Sequence, residues 1–227
     1  MTRLRHLLRE NGLTLAFLAG FLLSLAGQAL SGHAELTAVL TAEGLHPPTF
    51  TAYLFSSAFM VDVMENWQSE FLQFSLYIIG TVWLLQRGSP ESKRLDKTGT
   101  ESDREQRVGR WARSDSPRWA GAGGVRQALY SRSLGTVMLM VFGLSWLAQS
   151  VTGRIAFNEE QLRQRHDPVG WVTYLGSAEF WNRTLQNWQS ELLAVAAMAV
   201  LSVYLRQRGS PESKPVGAAH DATGVEG

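Results

Sequence analysis

The sequence predicts an all-α integral membrane protein, a four-helix bundle built from two tandem repeats that each cross the bilayer twice. Two observations predict this fold class: long apolar stretches with the charged residues gathered between them, and a pentapeptide, NWQSE, that occurs at residues 66–70 and again at 187–191. The overall hydrophobic content of 45% and net charge of +1 are also typical of soluble domains. The informative property is therefore how the apolar residues are distributed.

Four stretches are predicted to span the membrane. Those at residues 13–30 and 134–151 are each about the length that crosses a bilayer core. The runs at 71–85 and 192–205 are shorter, and each reaches about 20 residues, or about 30 Å, if it continues as helix back through NWQSE. The basic residues before the first run are also typical of a signal peptide, but its aligned counterpart is internal, which favours retention.

A constant shift of 121 residues aligns the two halves of the chain. Residues 66–93 and 187–214 agree at 16 of 28 positions, and the heptapeptide RGSPESK follows both second spans. Such self-similarity predicts tandem duplication of a two-span hairpin. The predicted organisation is a first repeat at 1–93, a cytoplasmic linker at 94–129, a second repeat at 130–214 and a disordered tail at 215–227.

Basic residues near the span ends predict the orientation. Residues 31–66 contain no Lys or Arg, whereas residues 87–132 contain eleven. The segment after the third span fits this charge distribution less well, because it carries four arginines together with acidic residues. We expect a multi-pass protein of the bacterial inner membrane with both termini and the linker in the cytoplasm, and with both repeats in the same orientation.

The segments between the spans differ in character. The linker mixes both charge signs with Gly, Ser and Pro, which predicts a flexible tether. Residues 33–64 and 158–168, on the outer side, are predicted to form short amphipathic helices that cover the mouth of the bundle. In RGSPESK, Gly88 and Gly209 suit a left-handed helix stop, and the Ser-Pro pair suits a turn or a short helix.

The repeated polar residues are the candidate functional site. An intramembrane carboxylate usually belongs to an ion or proton path or to a ligand site. Two carboxylates that face each other also repel, which favours a shared proton or a bound cation. On a helix, Asn66, Ser69, Glu70 and Gln73 form one stripe, which we expect to face the bundle axis. The candidate polar or ion site comprises Glu70, Glu191, Asn66, Asn187, Gln28 and Gln149.

A structural role for the same residues is the alternative. Trp67 and Trp188 are candidate anchors in the aromatic belt, and Arg87 and Arg208 are candidate anchors at the cytoplasmic headgroups. The two glutamates then reach water or cap a helix start, and for them both interpretations stay open. For Gln28 and Gln149 hydrogen bonding between helices is favoured, at about 0.6 to 2 kcal/mol each.

Other chemistry has little support in the sequence. The chain has no cysteine, its five histidines lack ligand spacing, and no phosphate-binding loop or nucleophile elbow is visible. We therefore expect no enzyme activity, no cofactor, no metal site and no nucleic-acid partner. The expected partners are the lipid bilayer and either a homo-oligomer or another membrane protein, since the spacing of Ala16, Gly20 and Ser24 is typical of close helix contact.

The paired NWQSE and RGSPESK motifs resemble an uncharacterised family of small bacterial multi-pass membrane proteins, classed as a domain of unknown function. This resemblance covers both repeats and implies no activity, cofactor or catalytic residue. Two functional hypotheses follow. The first is permeation of protons, cations or small polar solutes by means of the paired glutamates. The second is a non-transporting scaffold or envelope assembly protein that binds lipid or a membrane partner.

Overall fold

The computed structural model describes residues 3–225, which form helices and turns without any β-strand. Residues 1–2 and 226–227, at the outer limits of the predicted first repeat and tail, lie outside this description. The all-α prediction is confirmed. The α-helices are α1 (Arg3–Glu10), α2 (Gly12–Ala42), α3 (Phe50–Leu54), α4 (Ser57–Gly80), α5 (Gly124–Tyr130), α6 (Ser133–Arg163), α7 (Trp171–Leu175) and α8 (Ala178–Tyr204).

Two helices, α2 and α6, are long and apolar enough to cross a membrane. Each has 31 residues, or about 46 Å, which exceeds the hydrocarbon thickness of about 30 Å. They therefore continue well past the apolar runs, α2 into residues 33–64 and α6 into residues 158–168, the segments for which the sequence predicts short amphipathic helices. The short helix α3 lies within residues 33–64, whereas α7 begins just after residue 168. Helices α4 and α8 have 24 and 27 residues, but neither contains a comparably long apolar stretch.

Equivalent elements of the two halves begin 121 residues apart. This offset separates the starts of α2 and α6, of α3 and α7, and of α4 and α8. Ser56 and Ser177 cap α4 and α8, because each hydroxyl accepts a hydrogen bond from the backbone N–H three residues later, at 3.3 and 3.2 Å. The tyrosines of α3 and α7, Tyr53 and Tyr174, are both buried against a glycine, Gly32 and Gly153 respectively.

The closest helix packing joins the two halves. Helices α4 and α6 run antiparallel over their whole length. At one end Ser57 donates a hydrogen bond to Glu159 at 2.9 Å. At the other end a Cβ placed on Gly135 would lie 3.2 Å from Ile79. Helix α4 also packs on α8, whereas α2 and α8 share no extended contact among the described residues. A closed bundle of all four long helices is therefore not confirmed.

The segments that follow α4 and α8 differ from the prediction in where the helices end and in how the chain continues. Helix α4 ends at Gly80, although the predicted span continues to residue 85, because the chain enters turns before the RGSPESK motif. Gly88 and Gly209 have positive φ, 85° and 84°, but they lie in turns beyond the ends of α4 and α8 and do not terminate these helices. Both motifs form turns rather than helices.

The predicted disordered tail folds back where it is described. Gly88 donates its N–H to Thr223 Oγ1 at 2.8 Å, and Gly224 donates to the Ser89 carbonyl at 3.0 Å. The buried Lys214 ammonium donates to the carbonyls of Ala219, His220 and Ala222. The linker contains turns and two single-turn 3-10 helices, at Leu95–Lys97 and Gly109–Trp111, before α5 begins.

Candidate functional site

A cluster of charged side chains joins α4 to α8 near their N-terminal ends. Arg183 contacts Glu65 at 2.9 Å and Asp62 at 3.3 Å on α4, and Glu179 at 2.9 Å on its own helix. Helical spacing brings these groups together, since Asp62 and Glu65 are three residues apart and Glu179 and Arg183 are four apart. Three carboxylates share one guanidinium, so the cluster carries an excess of negative charge.

A layer of buried polar side chains lies next to this cluster, between α4, α6 and α8. Gln68 is completely buried, accepts a hydrogen bond from Trp188 Nε1 at 2.7 Å and donates to the Glu65 carbonyl at 3.0 Å. Ser69 and Ser145 donate to carbonyls of their own helices. Thr184 is also completely buried and accepts from Trp146 Nε1 at 3.4 Å. This layer is polar throughout although it lies inside the helix assembly.

Gln149 on α6 is the exception within this layer. It is completely buried, and neither its amide oxygen nor its amide nitrogen has a hydrogen-bond partner among residues 3–225. In the antiparallel register Val61 meets Gly153, so one turn further along both helices brings Gln149 beside Glu65. A buried polar group left unpaired costs about 1–3 kcal/mol. The hydrogen-bonding capacity of the Gln149 amide is therefore unused among the described residues.

An open cleft of about 870 Å³ includes Asp62, Glu179 and Arg183 of the charged cluster in its wall. Its wall combines apolar residues of α2 and α6 with charged residues of both signs. Arg163 in this wall forms ion pairs with Glu160 and, at 3.6 Å, with Glu43. The charged residues that line the cleft are Asp62, Glu159, Glu160, Arg163, Glu179 and Arg183.

The predicted glutamates lie near this layer but outside it. Glu70 is exposed and Glu191 is half-buried. Ser69 belongs to the interior, whereas its neighbours Asn66 and Glu70 are exposed. The interior stripe of α4 therefore passes through Gln68 and is rotated from the stripe that the sequence favoured.

The remaining predicted residues fall into matched pairs. Asn66 and Asn187 donate to the carbonyls four residues earlier, those of Asp62 and Arg183, at 2.8 and 2.9 Å. Gln28 is half-buried while Gln149 is completely buried. Trp67 is exposed and Trp188 is half-buried. The predicted arginine anchors, Arg87 and Arg208, are both exposed.

The sequence interpretation missed the charged cluster, although one signal could have found it. Asp62 and Arg183 are 121 residues apart and therefore occupy equivalent positions in the two halves. When equivalent residues of the two halves carry opposite charges, they are candidates for an ion pair between the halves, because opposite charges attract. The other missed residues, Glu65 and Glu179, have uncharged counterparts in the other half and give no such signal.

A second carboxyl group lies at the opposite end of α4. Tyr77 donates a hydrogen bond to Glu91, which follows the helix in the first RGSPESK motif. Burial, together with a hydrogen bond and the charge of Glu212, raises the pKa of Glu91 to about 7. Glu212 is the equivalent residue of the second motif, so this pair also joins the two halves. Residues 3–225 contain no group of three or more His, Asp or Glu side chains that could hold a metal ion.

Comparison with known proteins assigns a family but no activity. The chain belongs to the family described as a domain of unknown function, DUF6766, which matches residues 4–225. No curated protein and no solved structure matches the chain. The match covers both halves and the linker between them.

Proposed function

We propose that this member of the DUF6766 family is a multi-pass membrane protein that lets protons or small cations cross the bilayer along the interface of α4, α6 and α8. The observation that carries the proposal is the unpaired, completely buried amide of Gln149, which lies beside a cluster with more carboxylates than cations. Polar species that satisfy such an amide are water and cations, and carboxylates attract the latter.

Four spans in two tandem two-span units are part of this proposal. Helices α2 and α6 supply two apolar spans. Helices α4 and α8 supply the other two spans and line the path. The equal offsets of 121 residues between matched helices support the duplication. The asymmetry of basic residues supports a location in the bacterial inner membrane with both termini in the cytoplasm.

Polar groups follow the interior of α4 over most of its length. Beyond Glu65 they continue with Gln68, Ser69 and Ser75, which are buried, and end at Tyr77 beside Glu91. Glu65 and Tyr77 are separated by twelve residues, or about 18 Å of helix. The proposed route thus joins the outer charged cluster to the cytoplasmic Glu91 and Glu212. The Glu70 and Glu191 pair stays a proposed ion site close to this route.

A non-transporting scaffold is the second candidate. It is favoured by α2, whose apolar window is almost entirely uncovered and is free to contact lipid or a membrane partner. Both candidates are without enzyme activity, cofactor or nucleic-acid partner. A flux measurement separates them, because a scaffold forms no conduction path.

The test is proton and monovalent-cation flux in proteoliposomes, with equal amounts of folded protein in each. We expect the unchanged protein to conduct above empty liposomes, and Gln149→Leu to lower the flux about tenfold or more, as loss of about 1.4 kcal/mol of stabilisation implies. Thr152→Val, on the same helix, removes a hydroxyl that bonds only to its own helix, and should leave the flux unchanged.

A further variant, Glu70→Gln combined with Glu191→Gln, decides whether those carboxylates belong to the path. Flux that is lost in this variant makes them part of it, whereas unchanged flux leaves conduction to the charged cluster and the Gln149 layer. If the unchanged protein conducts neither protons nor cations, the permeation proposal is wrong and the scaffold is retained.

A further inference from the structure

Helices α4 and α8 have equivalent faces, but the face of α4 is buried and that of α8 is exposed. The face of α4 that packs on α6 and α8 buries Gln68, Ser69 and Ser75. The equivalent residues of α8 are Gln189, Ser190 and Ala196, and all three are exposed. Two of the three have the same identity in both halves. The same surface is thus interior in one half and open in the other.

The partner face is open in the same way. Helix α6 presents Ser145 and Gln149 to the inside of the assembly, where both are buried. Helix α2 carries the equivalent residues, Ser24 and Gln28, of which the first is exposed and the second half-buried. The chain therefore exposes one surface on α8 and one on α2 that have no partner within the described chain. These surfaces are equivalent to the faces of α4 and α6 that form the closest helix contact in the fold.

We propose that these surfaces bind each other between two copies of the chain. Helix α8 of one copy packs on α2 and α4 of a second copy, in the way that α4 packs on α6 and α8 within one chain. The occupant of the open face is a second copy because the complementary surface already exists in the sequence and its counterpart is already packed in the fold.

The physical reason is the cost of the open faces in a membrane. A Gln side chain that faces hydrocarbon leaves amide atoms unsatisfied, whereas between helices its hydrogen bonds contribute about 0.6 to 2 kcal/mol. Both halves have the same orientation, since α4 and α8 run side by side in one direction from the charged cluster to the paired Glu91 and Glu212. The interface is head-to-tail, and repeated rotation about the membrane normal closes it into a ring.

The contacts within one chain predict the contacts between two copies, because equivalent residues of the two halves should pair in the same way. Within the chain Trp188 Nε1 donates to Gln68 Oε1 at 2.7 Å. The equivalent pair between copies is Trp67 of one chain with Gln189 of the other, and both residues are exposed in the single chain. Asp62 of the second copy meets Arg183 by the same rule. The inference does not rest on conduction, since a scaffold has the same open faces.

Cysteine cross-linking tests the proposal without background, because the sequence contains no cysteine. The contact of Ile79 with Gly135, at 3.2 Å from an added Cβ, has Val200 and Thr14 as its equivalent between copies. Thr14→Cys and Val200→Cys are placed on separate chains with different tags and oxidised in native membranes. The expected product is a disulfide-linked heterodimer. Ile79→Cys with Gly135→Cys in one chain is the positive control, because it joins helices already in contact.

The matched control replaces Val200→Cys with Leu201→Cys, which lies about 100° round the same helix at almost the same depth. No heterodimer above this control would overturn the proposal. A second measurement is the molecular mass in lipid nanodiscs. We expect an oligomer for the unchanged chain and a monomer for Gln189→Leu with Ser190→Leu. A monomeric unchanged chain, or an oligomer that this variant leaves intact, would also overturn it.

Discussion

Gly153 is the position where the packing can be tested most directly. A Cβ placed on it would meet the hydroxyl of Tyr174 and would lie 3.2 Å from both Tyr174 Cζ and Val61 Cγ2. The neighbours cannot move aside easily, because Tyr174 and Val61 are 1% and 2% exposed. We therefore expect Gly153→Ala to destabilise the fold.

The size of the stability loss in Gly153→Ala follows from a comparison with Gly143 on the same helix. Nothing lies within 4 Å of a Cβ at Gly143, so Gly143→Ala should gain the helix preference of Ala over Gly, about 0.5–1 kcal/mol. Gly153→Ala makes the same gain but also overpacks the core, which costs about 1–3 kcal/mol. Because the helix term cancels, the two variants should differ by about 1–3 kcal/mol.

The assay is thermal unfolding in detergent or nanodiscs, followed by tryptophan fluorescence. A difference of 1 kcal/mol moves the Tm by about 2–4 °C in a chain of this size. Tyr174→Phe removes the nearest hydroxyl and should recover part of the loss in Gly153→Ala. Equal Tm values for the Gly143 and Gly153 variants would refute the close approach of α7 to α6.

Three further perturbations probe charged groups. Arg183→Ala leaves three carboxylates facing one another, so the free energy of unfolding should fall by about 1–3 kcal/mol, and adding Glu65→Gln should restore part of it in denaturant titrations. The pKa of Glu91 is raised from 4.5 to about 7, so the folded state keeps a proton that the unfolded chain has lost. Stability should therefore decline as pH rises from about 4.5 to about 7, and Glu91→Gln should flatten this decline in Tm measured against pH. Lys214→Met removes the donor to three carbonyls and should expose residues 215–225 to proteolysis, whereas Lys93→Met, which loses its bond to Gly99, should leave that segment protected.

The sequence predicted the features that local composition determines. Apolar runs located the main helices, and the 121-residue shift located equivalent positions such as Ser56 and Ser177. The positive φ of Gly88 and Gly209 was also predictable, since glycine adopts this conformation without steric cost, but these glycines lie in turns and not at the predicted helix stops.

Features that depend on tertiary contacts were not predictable in the same way. Helices α2 and α6 continue past their apolar runs, in part because Tyr53 and Tyr174 pack on glycines in the extended region. The interior stripe of α4 differs from the predicted one because the choice between Gln68 and Glu70 depends on where α6 and α8 lie. The described part of the tail is held by backbone carbonyls around Lys214, which no composition rule reports.

The two NWQSE copies are identical in sequence, but their side chains have different surroundings in the fold. Asn66 and Asn187 make the same bond to their own helices, so this part of the motif is satisfied locally in both halves. Gln68 is different, because its partner Trp188 comes from the other half, while Gln189 has no equivalent partner within the described chain. The residue that depends on a neighbouring half is the one whose second copy is exposed. The proposed oligomer accounts for the exposed copy, because Trp67 of a second chain would supply the hydrogen-bond donor that Gln189 lacks within its own chain.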